Sequence, residues 1–194
     1  DTYTAPGRCI TLEVGIHGIP VTLEQSTYDA LWGALDNYWT FRRESRDAMY
    51  YNRVIVGALR AVDVICSLPQ YNGQALAVTG SSQGGFLSLY TAALDPRVTF
   101  IGVVHDALCD HESELKGVAG GWPHYFYKAK NVDPKRIEGA RYYDGVNFAR
   151  RVKCDSWFSF GYNDEVVPPT SSYSTYNIVT APKTLSVYQQ TGHF

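Results

Sequence analysis

Ala75-Leu76-Ala77-Val78-Thr79-Gly80-Ser81-Ser82-Gln83-Gly84-Gly85 contains a serine flanked by glycines in the pattern G-x-S-x-G, with Ser82 at its centre. The apolar run Ala75 to Val78 ahead of it predicts a short buried strand. Phe86 to Leu94 behind it predicts a buried helix. A strand–turn–helix of this kind holds a serine hydroxyl above the edge of a sheet. Gly80 and Gly84 permit the tight backbone and the close approach of helix to strand. The register is fixed, because Ser81 would need glycines where Thr79 and Gln83 stand. A loop of small residues is the bland alternative, and the flanking apolar runs argue against it.

Working outward, the pattern alternates strand and helix, which predicts an α/β fold with a mostly parallel sheet flanked by helices in one domain spanning residues 1–194. Cys9 to Ile16 reads as a first strand, closed by His17-Gly18-Ile19-Pro20. A short helix is expected around Tyr28 to Leu35. Tyr50 to Leu68 carries Tyr51, Ile55, Ala58, Leu59, Val62 and Ile65 on one stripe, the spacing of an amphipathic helix that Pro69 and Asn72-Gly73 end. Thr99 to Val104 reads as a strand, Ala140 to Val152 as a helix and Ser156 to Gly161 as a strand. Pro169 to Val179 reads as a helix and Thr184 to Tyr188 as the last strand. Residues 105–144 follow no clear period.

The gross numbers narrow the function classes. A chain of 194 residues with 45% hydrophobic content can bury one sizeable core. Seventeen basic and nineteen acidic residues are dispersed, giving a formal charge of -2. No basic run could track a phosphate backbone, so no nucleic-acid partner is expected. No apolar stretch approaches the roughly 18 residues of a membrane span, so no membrane partner is expected either. Cys9, Cys66, Cys109 and Cys154 lack metal-type spacing; Cys9, Cys66 and Cys154 lie in or beside apolar runs and read as buried free thiols, although an even count leaves a disulfide open.

A serine that transfers acyl groups needs an imidazole to take its proton and a carboxylate to orient that imidazole. On this fold class the acid and then the histidine follow the serine in the chain, each on a loop after a later strand. Asp164 follows the strand ending at Gly161, and His193 follows the final strand. Ser82, Asp164 and His193 are therefore the candidate catalytic residues, with the neighbouring Glu165 as the competing acid. Each of Asp164 and His193 alone would read as an ordinary turn or loop residue.

On these stretches the chain resembles the acetylxylan esterase and cephalosporin-C deacetylase family of α/β-hydrolases, particularly relatives from gut bacteria. The shared residues are Tyr50-Tyr51 through Arg60-Ala61-Val62-Asp63, Gly80-Ser81-Ser82-Gln83-Gly84-Gly85, Gly161-Tyr162-Asn163-Asp164-Glu165-Val166 with Pro168-Pro169, and Gly192-His193. The similarity runs from about Arg8 onward. It implies Ser82 as nucleophile, Asp164 as orienting acid, His193 as general base and the Gln83 amide as one oxyanion donor. It also implies an acetylated carbohydrate such as xylan, or a small acetyl ester, as substrate, and a periplasmic or secreted bacterial setting. No cofactor and no metal are expected; a homo-oligomer is compatible with the sequence. Where the family carries Arg-Gly-Gln, this chain has His17-Gly18-Ile19. Against the family's fold, the chain reads as lacking strands at its N-terminal side, with the second oxyanion donor, and a helix after the histidine. His17-Gly18 could serve as the oxyanion loop only if a further strand preceded Ser82, and none is legible between Pro20 and Leu68.

Two weaker constellations remain. His105, Asp106, Asp110, His111 and Glu112 cluster in sequence, but no H-E-x-x-H pattern is present, and hydrogen-bonded loop residues are the simpler reading. Trp122, His124, Tyr125 and Tyr127 form an aromatic group; Trp122 and Tyr125 are candidates for lining a sugar cleft, against the alternative that they pack the irregular segment onto the core. The other functions to weigh are a peptidase or other serine hydrolase of the same fold, and a carbohydrate-binding or scaffold domain without turnover.

Overall fold

Among the described residues, four parallel strands lie side by side in chain order: β1 (Ala77–Ser81), β2 (Phe100–Val104), β3 (Asp155–Gly161) and β4 (Lys183–Tyr188). This is a computed structural model, and it describes residues 9–194. Because all the strands are parallel, each connection must cross back over the sheet, and helices do this. α1 (Gln25–Ala34) and α2 (Tyr50–Ser67) precede β1, and α3 (Gln83–Leu94) joins β1 to β2. α4 (Pro134–Tyr142) and α5 (Gly145–Ala149) lie between β2 and β3, and α6 (Pro169–Ile178) joins β3 to β4.

The buried strands carry the apolar side chains that a covered sheet requires. Ile101, Val103, Phe158 and Phe160 are all essentially inaccessible. α3 is hydrophobic nearly all round because it packs against β1 and β2 on one side and α2 and α5 on the other. The Tyr51, Phe86 and Tyr90 rings meet edge to face along this interface, at centroid separations of 5.4 and 4.4 Å. Tyr90 then stacks on Phe148 at 3.9 Å, and its hydroxyl donates to the Tyr143 carbonyl. The aromatic chain thus carries the core from α2 through α3 to α5.

Two sequence expectations need correcting. Cys9 to Ile16 forms no strand; Ile10, Leu12 and Val14 alternate as a strand would, yet they stay exposed and no other strand pairs with them among the described residues. An extended segment gains little without a ladder partner. Cys9 is accordingly exposed, whereas Cys66 and Cys154 are half-buried thiols and Cys109 is buried. Ala140 to Val152 is not one helix either. α4 begins at Pro134, capped by Asp133, whose carboxylate accepts from the Lys135 amide at 2.9 Å. Asp144 then ends the run and caps α5. Gly145 admits the close packing there, since a Cβ on it would lie 2.5 Å from Cys109 Sγ. Among the described residues, no helix is long and apolar enough to cross a membrane.

Candidate active site

Ser82 sits between β1 and α3 with φ 55° and ψ -113°, a conformation that side chains other than glycine rarely adopt. Three backbone hydrogen bonds hold it there. Its amide donates to the Val104 carbonyl at 2.9 Å, and its carbonyl accepts from Phe86 and Ala107, each at 3.1 Å. The end of β2 therefore grips the turn. Glycine is required where the backbones cross: a Cβ on Gly80 would lie 2.4 Å from the Gly84 carbonyl carbon, and one on Gly85 would lie 2.8 Å from the Val104 oxygen. Gly84 itself has open space where its Cβ would be, so the close approach of these two backbones demands a glycine at Gly80 and not at Gly84.

The carboxyl ends of β3 and β4 bring in the other two candidates. Asp164 lies in the turn after β3, with its side chain fully buried. Its Oδ1 accepts from the Val166 and Val167 amides at 2.9 and 2.7 Å, which leaves Oδ2 to face His193 Nδ1 at 2.8 Å. His193 Nε2 lies 3.2 Å from Ser82 Oγ. The loop carrying His193 runs directly over the end of β3. Asn163 donates to the Thr191 carbonyl at 3.1 Å, and a Cβ on Gly161 would fall 2.0 Å from that oxygen. Glu165, the competing acid, is exposed. With Nδ1–H donating to Asp164, Nε2 presents its lone pair to the Ser82 hydroxyl, the order that proton transfer from serine requires.

Gln83 opens α3, so its amide is among the helix N-terminal donors without an intrahelical partner. Its side chain is fixed separately, as Oε1 accepts from the Tyr38 hydroxyl at 2.7 Å and the Tyr51 hydroxyl at 3.0 Å. Burial holds both phenols above their ordinary range, most strongly Tyr51, so they remain donors. His17 joins this aromatic group, edge-on to Tyr38 at 4.7 Å and with Nδ1 2.6 Å from the Tyr50 hydroxyl. Burial and the neighbouring Arg53 lower its pKa. No strand lies between residues 20 and 68.

The proposed sugar-facing pair divides. Tyr125 is buried in the core, donating its hydroxyl to the Trp39 carbonyl at 2.7 Å beneath the Arg43 guanidinium. It anchors the irregular segment and has no face to offer a ligand. Trp122 is half-buried, with its ring 5.2 Å from that of Trp39. The sequence cluster around His105 also disperses. Asp110 accepts from Ser113 and Ser174, Glu112 pairs with Arg141, and His111 is buried against the Tyr125 ring.

His105 alone from that cluster reaches the site. Its Nε2 is 2.6 Å from Ser81 Oγ, its Nδ1 is 3.8 Å from Asp164 Oδ2, and its ring lies 4.2 Å from that of His193. Sequence reasoning grouped it with a polar cluster read as hydrogen-bonded loop residues, although its place at the end of a strand adjacent to the serine strand was a usable signal. Among the described residues, His105, Asp164 and His193 bring ligand-type atoms within 4.8 Å of one another, the grouping close enough to share an ion.

A parallel sheet with crossover helices and a Ser–His–Asp cluster at its carboxyl edge defines the α/β-hydrolase class. Within that class the chain belongs to the acetyl xylan esterase (AXE1) family, whose model matches residues 39–194. It is 43% identical over 187 residues to the acetyl esterase Axe7A of Xylanibacter ruminicola, covering 94% of this chain and 42% of that protein. Among solved structures, the acetyl xylan esterase from Paenibacillus sp. R4 superposes with a TM-score of 0.73 at 27% identity, covering 81% of this chain and 52% of that one. Acetyl xylan esterase 1 from Thermoanaerobacterium sp. gives 0.69 at 26%, covering 77% and 50%. The chain thus spans about half the length of these relatives or less. An acylaminoacyl peptidase, at 13% identity and a TM-score of 0.58, shares the fold.

Proposed function

We propose that Ser82, His193 and Asp164 act as a catalytic triad, and that this chain carries the hydrolytic centre of an esterase that removes acetyl groups from a carbohydrate such as xylan. The observation that carries the reading is the continuous relay from Ser82 Oγ through His193 to the buried Asp164, with distances of 3.2 and 2.8 Å. Membership of the acetyl xylan esterase family supports the acetyl group and the carbohydrate as substrate.

Ser82 Oγ attacks the acetyl carbonyl as its proton passes to His193 Nε2. Asp164 stabilises the imidazolium that forms. The carbonyl electrons move onto oxygen, and the Gln83 amide faces this developing charge at the positive end of α3. Collapse of the tetrahedral species expels the sugar oxygen, which takes the proton from His193 and leaves an acetyl-serine. Water, deprotonated by the same nitrogen, then releases acetate and restores Ser82.

The test is a fluorophosphonate label together with hydrolysis of p-nitrophenyl esters of two to eight carbons and acetate release from acetylated xylan. Ser82 should take the label, and Ser82→Ala should abolish both label and turnover while Ser81→Ala remains active. Acetyl esters should turn over fastest. Equal hydrolysis by Ser82→Ala removes the mechanism, and a rate rising with acyl length removes the deacetylase reading while keeping the serine hydrolase.

A further inference from the structure

His105 is the best-placed side chain that the triad does not use. It follows β2, the neighbour of the nucleophile strand, and its φ of 32° lies in the region that favours glycine. A residue with a Cβ is held there only if its surroundings over-determine it, and such strain gathers at working sites. Here the restraints are visible. The His105 amide donates to the Ser159 carbonyl of β3 at 2.7 Å, and its Nε2 meets Ser81 Oγ at 2.6 Å. The side chain is only 12% exposed, and one face of its ring lies against His193, centroid to centroid 4.2 Å with planes 34° apart.

The charged and polar groups facing it are Ser81, His193 and Asp164. Burial, and then the neighbouring His193, hold the His105 imidazole below its ordinary pKa, so it rests neutral beside the other ring and does not repel it. A neutral ring that accepts from Ser81 at Nε2 carries its proton on Nδ1, the nitrogen turned toward Asp164 Oδ2.

We propose that His105 is a positioning residue for the reaction: a platform, tethered through Ser81 to the nucleophile strand, that holds the His193 ring in line between Ser82 and Asp164. The need for it is mechanical. His193 comes from the loop after β4, whereas Ser82 comes from β1, with β2 and β3 lying between them in the sheet. His105 spans that gap, since Ser81 adjoins Ser82 in the chain. A base displaced by even 1 Å loses on the order of 100-fold in rate, so a rigid backstop behind a loop-borne imidazole has kinetic value. This inference rests on the triad reading above.

Its test separates the platform from the fold. In the full-length protein, His105→Ala should lower kcat for p-nitrophenyl acetate by roughly 10- to 100-fold, the scale of a misplaced catalytic group, with KM changed less than about twofold. His105→Phe restores a flat ring without the tether and should recover most of kcat. Ser81→Ala, which cuts only the tether, should cost less than His105→Ala. Melting temperatures measured on all three variants separate a destabilised fold from a displaced base. Unchanged kcat in His105→Ala, or a loss that His105→Phe leaves unrepaired, overturns the proposal. Activity surviving in Ser82→Ala, run in parallel, would instead overturn the triad itself.

Discussion

Gly80 shows how one atom can decide the site. An alanine there would place Cβ 2.4 Å from a backbone carbon of Gly84, and no flexible side chain can yield in its place. Either α3 moves off β1 or the turn at Ser82 opens, and both displace the proposed nucleophile. Gly80→Ala should therefore cut ester hydrolysis by roughly 100-fold or more, the scale of an ångström-sized misplacement, and lower the melting temperature. Gly84→Ala is the control. Its Cβ would meet open space, and alanine outranks glycine in a helix by up to about 1 kcal/mol. Its melting temperature should hold or rise. The motif made both glycines look alike, and only the crossing of two backbones distinguishes them.

The segment between β2 and β3 shows how elements are joined by a single carboxylate. Asp144 Oδ1 accepts from the Val146 and Asp110 amides at 2.9 and 3.0 Å, and Oδ2 from the His111 amide at 2.9 Å. One side chain thus caps α5 and fastens the irregular segment that follows β2. Asp144→Ala would strand three donors, and each buried unsatisfied group costs roughly 1–3 kcal/mol. Urea unfolding should show a loss of about 1–3 kcal/mol, most of it from the buried His111 amide. Asp144→Asn, which keeps one acceptor oxygen, should lose less; equal stability of the alanine variant would show that solvent satisfies those amides. The same residue explains why Ala140 to Val152 looked like one helix. The apolar spacing runs through it, but the pairs Asp133-Pro134 and Asp144-Gly145 are both helix-start signals, and they were legible.

At the scale of the molecule, a buried acid makes stability depend on pH. Asp106 is fully buried just after the carboxyl end of β2, with Oδ2 accepting from Thr175 Oγ1 at 2.7 Å and Cys109 Sγ at 3.0 Å. Among the described residues Oδ1 finds no hydrogen-bond partner. Burial raises its pKa from 3.8 to about 6. Because the folded value is raised, its contribution to stability is fully present below about pH 4 and is lost as pH rises through about 6. A rise from 3.8 to about 6 corresponds to about 3 kcal/mol. Asp106→Asn cannot ionise, so relative to the parent it should gain about 3 kcal/mol between pH 4 and pH 7.5. Unfolding free energies of both proteins across that range check this, and a constant difference between them would overturn it.

The sequence by itself determined whatever depends on local periodicity and on motif chemistry. Strand, elbow and helix around Ser82 follow from apolar runs and glycines, and the placing of Asp164 and His193 after later strands follows from how parallel strands deliver loops to one edge. Most of the helices and strands were legible for the same reason. What only the tertiary structure decided are the contacts between residues distant along the chain. Cys9 to Ile16 carries a strand pattern, but a strand exists only where another backbone accepts its hydrogen bonds. Tyr125 carries a sugar-binding side chain, but its hydroxyl is taken by Trp39, 86 residues earlier. His105 looked like one member of a polar cluster, and the parallel order of β1, β2 and β3 set it against Ser81 and His193, 24 and 88 positions away. Sheet order is a property of packing, so no window along the chain encodes it.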